Sequence, residues 1–155
     1  MYSLKFYFLM VLPVIAFQAT KANLISKRDI YQLCKIFTTY TNRNCMDYSY
    51  YGCSCGPFKS GTPIDCVDRC CYQKKKCHAE LNCGDPVVEV TCENGACKCT
   101  ATDTNSCEYK YCMCDVAAAE CLGRQVFNES LLRYDYSNCV QEFKDAQDDL
   151  KCNGI

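Results

Sequence analysis

Cys70-Cys71-Tyr72-Gln73-Lys74-Lys75-Lys76-Cys77 lies inside 65–80, a run without glycine or proline that begins on Asp65, a residue type suited to N-capping. The run predicts a helix, and Cys70 and Cys77, seven apart, fall on one of its faces. Glu108 to about Arg124, with Ala117-Ala118-Ala119 inside it, predicts a second helix that carries Cys114 and Cys121 at the same spacing. Antiparallel pairing of the two faces gives Cys70–Cys121 and Cys77–Cys114, two staples roughly 10 Å apart along the helices. The opposite pairing requires parallel helices.

Between the helices, Val87–Cys92 and Cys97–Thr102 flank Asn94-Gly95, a hairpin signal. Asp29 to Phe37 reads as a short amphipathic helix. Residues 51–62 read as a loop, with Gly52, Gly56 and Gly61. Residues 125–155 read as irregular, with a polar helix expected over 140–151 and a glycosylation sequon at Asn128-Glu129-Ser130.

The start of the chain reads as a processing segment. Lys5, an apolar run from Phe6 to Phe17 and the small Ala22 predict a secretory signal peptide over 1–22, too short to span a membrane. Lys27-Arg28 is a dibasic trimming signal, so 23–28 is expected to be a short propeptide and 29–155 a single domain. Four of the 17 basic residues and none of the 18 acidic ones lie in 1–28, which leaves 29–155 at net −5 with His78 neutral. That acidity argues against nucleic acid and against strong attraction to anionic membranes. All 18 cysteines fall between Cys34 and Cys152. An even number in a chain with a secretory leader predicts nine disulfides, with zinc as the disfavoured competitor. No transmembrane anchor is expected, and a monomer is expected because no large apolar surface is evident.

Tyr51-Gly52-Cys53-Ser54-Cys55-Gly56, Gly61-Thr62-Pro63 and Asp65-Cys66-Val67-Asp68-Arg69-Cys70-Cys71 resemble the calcium loop and first long helix of the secreted phospholipase A2 family. Cys112-Met113-Cys114-Asp115-Val116-Ala117-Ala118-Ala119-Glu120-Cys121 resembles that family's second signature. The resemblance covers most of 29–140. It implies a mainly α, disulfide-rich fold: two long antiparallel disulfide-linked helices, a short N-terminal helix and a small two-stranded β-wing. It also implies the bonds Cys53–Cys139, Cys55–Cys71, Cys83–Cys107 and Cys99–Cys112, together with a bond from Cys92 to Cys34 or Cys45. Cys66, Cys97, Cys152 and the unused member of Cys34 and Cys45 are left without a predicted partner.

Family members hydrolyse the sn-2 ester of phospholipids. A histidine oriented by an aspartate deprotonates water, and a Ca²⁺ ion held by loop carbonyls and one carboxylate polarises the ester. Here the histidine position is Lys74, and an ammonium is a poor base by default. The metal carboxylate position is Lys75, which supplies no oxygen and repels a divalent cation. In the loop of Ser54 and Gly56, Phe58-Lys59 replaces two glycines, whose backbone freedom lets carbonyls converge. His78 and Val88 replace two tyrosines, and only Asp115, the orienting acid, remains.

The resemblance thus implies a member without catalysis, with Ca²⁺ binding lost and a role in binding a phospholipid or an extracellular protein. The alternative is a residual or altered hydrolase that uses His78 and Asp115. On a helical wheel Lys74 lies within about 40° of Cys70, facing the partner helix. A buried ammonium needs a partner, so Lys74 is expected to pair with Asp115 or else to snorkel into the cleft. Lys75 also resembles the lysine-substituted, membrane-damaging homologues of venoms. Those are strongly basic, whereas this chain is acidic and has no basic C-terminal cluster.

Overall fold

The computed structural model describes residues 30–140 and residue 152. The expected leader, propeptide and 140–151 helix therefore lie outside the described residues, apart from Val140. Helix α1 covers 30–41, four residues beyond the expected end at Phe37. Two threonines extend it: Thr39 and Thr41 donate their hydroxyls to the carbonyls of Lys35 and Phe37, at 2.8 and 2.7 Å. Asn42, at φ 52°, ends it. Helix α2 (Cys45–Tyr48) follows, capped by the Asn44 side chain.

Helix α3 (Cys66–Leu81) begins where Asp65 caps it and stops at Asn82 in the left-handed region. Helix α4 (Cys107–Gly123) is capped by Ser106, whose hydroxyl accepts from the Tyr109 N–H. Cys70–Cys121 and Cys77–Cys114 bring their Cα atoms to 5.7 and 5.9 Å, so α3 and α4 run antiparallel at a shared register. Ile36 and Phe37 of α1, Val67 and Cys70 of α3, and Ala118, Ala119 and Leu122 of α4 meet in one core.

Strands β1 (Val90–Glu93) and β2 (Ala96–Cys99) form an antiparallel hairpin around Asn94 and Gly95, both at positive φ. The strands are shorter than expected, because each pairs only with the other. Cys99–Cys112 ties the hairpin to α4, Cys83–Cys107 links the end of α3 to the start of α4, and Lys35 Nζ donates to Val90 O at 3.2 Å.

All 18 cysteines are in disulfides, which leaves no thiolate for zinc. Cys53–Cys139 and Cys55–Cys71 hold the 51–62 loop, and Cys66–Cys152 joins the first residue of α3 to a cysteine near the chain's end. The expected bond from Cys92 to Cys34 or Cys45 does not form. Cys92 stands directly opposite Cys97 in the hairpin register, with Cα atoms 4.0 Å apart, and the two bond each other. Cys34 and Cys45 pair across the α1–α2 turn. Each bond is therefore closed within one local hairpin.

Candidate functional site

The 51–62 loop is built on a buried carboxylate. Asp68 is fully buried and accepts from the N–H groups of Cys53, Ser54, Cys55 and Ile64, at 2.8, 2.7, 3.0 and 3.2 Å. Burial pushes its pKa up, and the four donors pull it down. The contact demands Gly52: a Cβ there would lie 2.5 Å from the Asp68 Cγ. Gly56, at φ 89°, is required as well, since its Cβ would meet the Ser49 carbonyl oxygen at 2.2 Å. Ser54, also buried, donates its hydroxyl to Gly61 O at 2.7 Å.

Phe58 and Lys59 lie at ordinary negative φ, so the loop carries side chains at both positions without using glycine's freedom. Phe58 is 92% exposed and points away from the cleft. Lys59 does the reverse: its ammonium donates to Gly52 O at 2.8 Å and to Tyr50 O at 3.3 Å. The Lys59 carbonyl in turn accepts from the ammonium of Lys75. Two lysines thus bind the loop's own carbonyls, one acting through the backbone of the other. Burial, followed by the charge of Lys74, pushes the Lys75 pKa down to about 8. Burial lowers that of Lys59 too. Sequence reasoning recorded Lys59 only as a lost glycine and gave Asp68 no role. A lysine beside a glycine-rich loop is a weak signal, because its reach depends on where the loop runs.

Lys74, His78 and Asp115 come together between α3 and α4. Lys74 Nζ is 3.4 Å and His78 Nε2 is 3.1 Å from the same oxygen, Asp115 Oδ1. Neither contact is aligned as a hydrogen bond, and the Lys74 contact is an ion pair. The Lys74 and Asp115 side chains are 18% and 7% exposed, which leaves little water to screen the pair. Lys74 Nζ also sits 5.5 Å above the Phe37 ring, and His78 stacks on Tyr111 with centroids 3.5 Å apart.

Lys74, His78, Phe37 and Tyr111 line a cleft of about 460 Å³. Ile30, Leu33, Phe37 and Met46 form an apolar wall, Lys74, Lys75 and His78 supply nitrogen atoms, and Asp85 and Tyr111 complete the lining. Neither Phe58 nor Lys74 fills it. Ile30 and Met46 are also 56% and 46% exposed, so the apolar wall continues onto the surface. Such a cleft offers an apolar channel with ammonium groups along one side, which suits an amphiphile carrying an anionic head. Asn128 is exposed and its side-chain oxygen accepts from the N–H and hydroxyl of Ser130, at 3.1 and 2.8 Å. Among the described residues no helix is long and apolar enough to cross a membrane.

Comparison with known proteins is consistent across family and relatives. A family profile described as Phospholipase A2 matches residues 30–132. Phospholipase A2 A2-hormotoxin-Apt1a of Adamsia palliata is 36% identical over 126 residues, 74% of this chain and 79% of the relative. Phospholipase A2 A2-actitoxin-Cgg2a of Condylactis gigantea is 35% identical over 121 residues, 71% of this chain and 99% of the relative. Neutral phospholipase A2 homolog taipoxin beta chain 2 of Oxyuranus scutellatus scutellatus is 36% identical over 89 residues, 56% of this chain and 75% of the relative.

Proposed function

The chain belongs to the phospholipase A2 family, and from that premise we propose that it is a secreted, non-catalytic member that binds an anionic lipid in its cleft. One observation carries this: the Lys75 ammonium, at the position of the family's metal carboxylate, donates to a loop carbonyl. The donor set does not fit Ca²⁺. That ion takes six to eight oxygen ligands, drawn from carboxylates, carbonyls and water. Here an ammonium replaces the carboxylate, and a second one, Lys59, occupies carbonyls of the same loop. The base position is Lys74, whose charge is engaged by Asp115.

Lipid binding is favoured by the apolar wall, the ammonium groups and the exposed Ile30 and Met46 that carry the wall onto the surface. An apolar chain in the wall and an anionic head at Lys75 use both halves of the cleft. Mixed phospholipid vesicles test the two parts together. Ester hydrolysis should stay at the uncatalysed background while Ca²⁺ is titrated from zero to millimolar, and the protein should co-sediment with vesicles at low salt. Calcium-dependent turnover would remove the non-catalytic assignment; absence of co-sedimentation would remove the lipid role in favour of a protein partner.

The His78–Asp115 contact supports a second reading, a hydrolase that works without calcium through an oriented imidazole. Turnover that is independent of Ca²⁺ and lost in His78→Ala would favour it. The proposed secretory route also makes Asn128 a glycan acceptor. Protein from a eukaryotic secretory host should then lose mass on endoglycosidase treatment, and N128Q should show no such loss.

A further inference from the structure

We propose that Lys75 is a covalent capture site for long-chain aliphatic aldehydes, the carbonyl products of lipid oxidation, and holds them as Schiff bases in the cleft. Three features of the structure lead there. First, Lys75 lines an apolar cleft of about 460 Å³, whereas Lys76, Lys98 and Lys110 are exposed. An alkyl chain seated along Leu33 and Phe37 would bring its head to the lysine side of the cleft and to no other amine outside it.

Second, the hydrogen-bond acceptor of Lys75 is the neutral carbonyl of Lys59. A neutral amine donates to a carbonyl as an ammonium does, so loss of a proton leaves the side chain in place. Lys74, the neighbouring amine in the cleft, is instead held against the Asp115 carboxylate, its Nζ 3.4 Å from Oδ1.

Third, burial and the adjacent Lys74 charge both disfavour an ammonium at Lys75, whose pKa falls to about 8. At pH 7 about a tenth of the side chains are then neutral, roughly 300 times the fraction for an ordinary lysine. A desolvated lysine beside a second cation is a recognised route to an amine nucleophile.

The chemistry balances without a further reagent. The Lys75 Nζ lone pair forms a bond to the aldehyde carbon as the carbonyl π bond breaks. A proton passes from nitrogen to the alkoxide through solvent, giving a carbinolamine. Loss of the hydroxyl as water then forms the imine, with one water released per aldehyde bound.

The proposal rests on the cleft admitting an acyl chain, as the lipid-binding role also requires. The test treats the full, disulfide-intact chain with decanal and with propanal at pH 7, traps imines with cyanoborohydride, and maps modified lysines by mass spectrometry. Binding of decanoate is measured in parallel by calorimetry. With decanal, Lys75 should be modified at least about tenfold faster than Lys76, and its own rate of modification should rise from pH 6 to pH 8 as more of its amine is neutral. Decanoate should protect it, and propanal should show less selectivity. In Lys75→Arg, which keeps a cation at the Lys59 carbonyl, the decanal adduct should vanish while labelling of Lys76 persists. Even labelling of Lys75 and Lys76 by decanal would overturn aldehyde capture. If decanoate still bound, the lipid-binding role would stand alone; if it did not, both would fall.

Discussion

Asp68→Ala is expected to lower stability by about 3–5 kcal/mol and to release the 51–62 loop. The carboxylate is fully buried and is the acceptor for four backbone N–H groups. Alanine removes all four acceptors and creates a small cavity. Each buried donor left unpaired costs about 1–3 kcal/mol, and relaxation of the loop with entry of water recovers part of the sum. Asp68→Asn retains one oxygen but turns an amide N–H₂ toward two of the four donors, so it is expected to recover only part of the loss. The measurement is a thermal midpoint together with amide exchange at Cys53, Ser54, Cys55 and Ile64. Cys53–Cys139 and Cys55–Cys71 hold the loop covalently, so faster exchange confined to those amides is the expected pattern. Exchange and midpoint unchanged in Asp68→Ala would refute the view that this carboxylate holds the loop.

Lys74→Ala should cost about 2–3 kcal/mol at pH 8, because removing one partner of a largely buried pair strands the other. Asp115 is 7% exposed, and Lys74 supplies the permanent cation at its Oδ1. The loss is kept below that of a fully buried pair by the 18% exposure of Lys74 and by His78, whose Nε2 approaches the same oxygen. A double-mutant cycle with Asp115→Asn isolates the pair, and a coupling of at least about 1 kcal/mol is expected. If Lys74 merely extended into the cleft, the midpoint would not change and the cycle would show no coupling.

These two residues were not equally visible in the sequence. Helical geometry turned Lys74, four positions after Cys70, toward the partner helix, where pairing with Asp115 and extension into the cleft were both open, and the structure places it 3.4 Å from Asp115. Once the cysteines place the helices side by side, their neighbours face each other. Asp68 lies on the same helix, but its importance depends on where the loop's N–H groups converge, and no local pattern encodes that. The cysteines show the same division. Helical spacing placed Cys70 and Cys77 against α4, whereas Cys92 was expected to reach the N-terminal segment and instead bonds its cross-strand neighbour Cys97. The expected partners were Cys34 or Cys45, and Cα proximity in the hairpin selects neither of them but Cys97, which had no expected partner.

The stretch from Cys70 to Cys77, with its counterpart from Cys112 to Cys121, determined by itself the two stapled helices and the family likeness. Those are properties of spacing and side-chain chemistry, which a linear sequence carries in full. Tertiary structure decided that Phe58 faces solvent, that the cleft is open, and that Lys59 and Lys75 turn their ammonium groups onto the loop's own carbonyls. The direction of a long flexible side chain is set by which acceptors the folded backbone brings within its reach, and only the assembled loop, held by Asp68, supplies them.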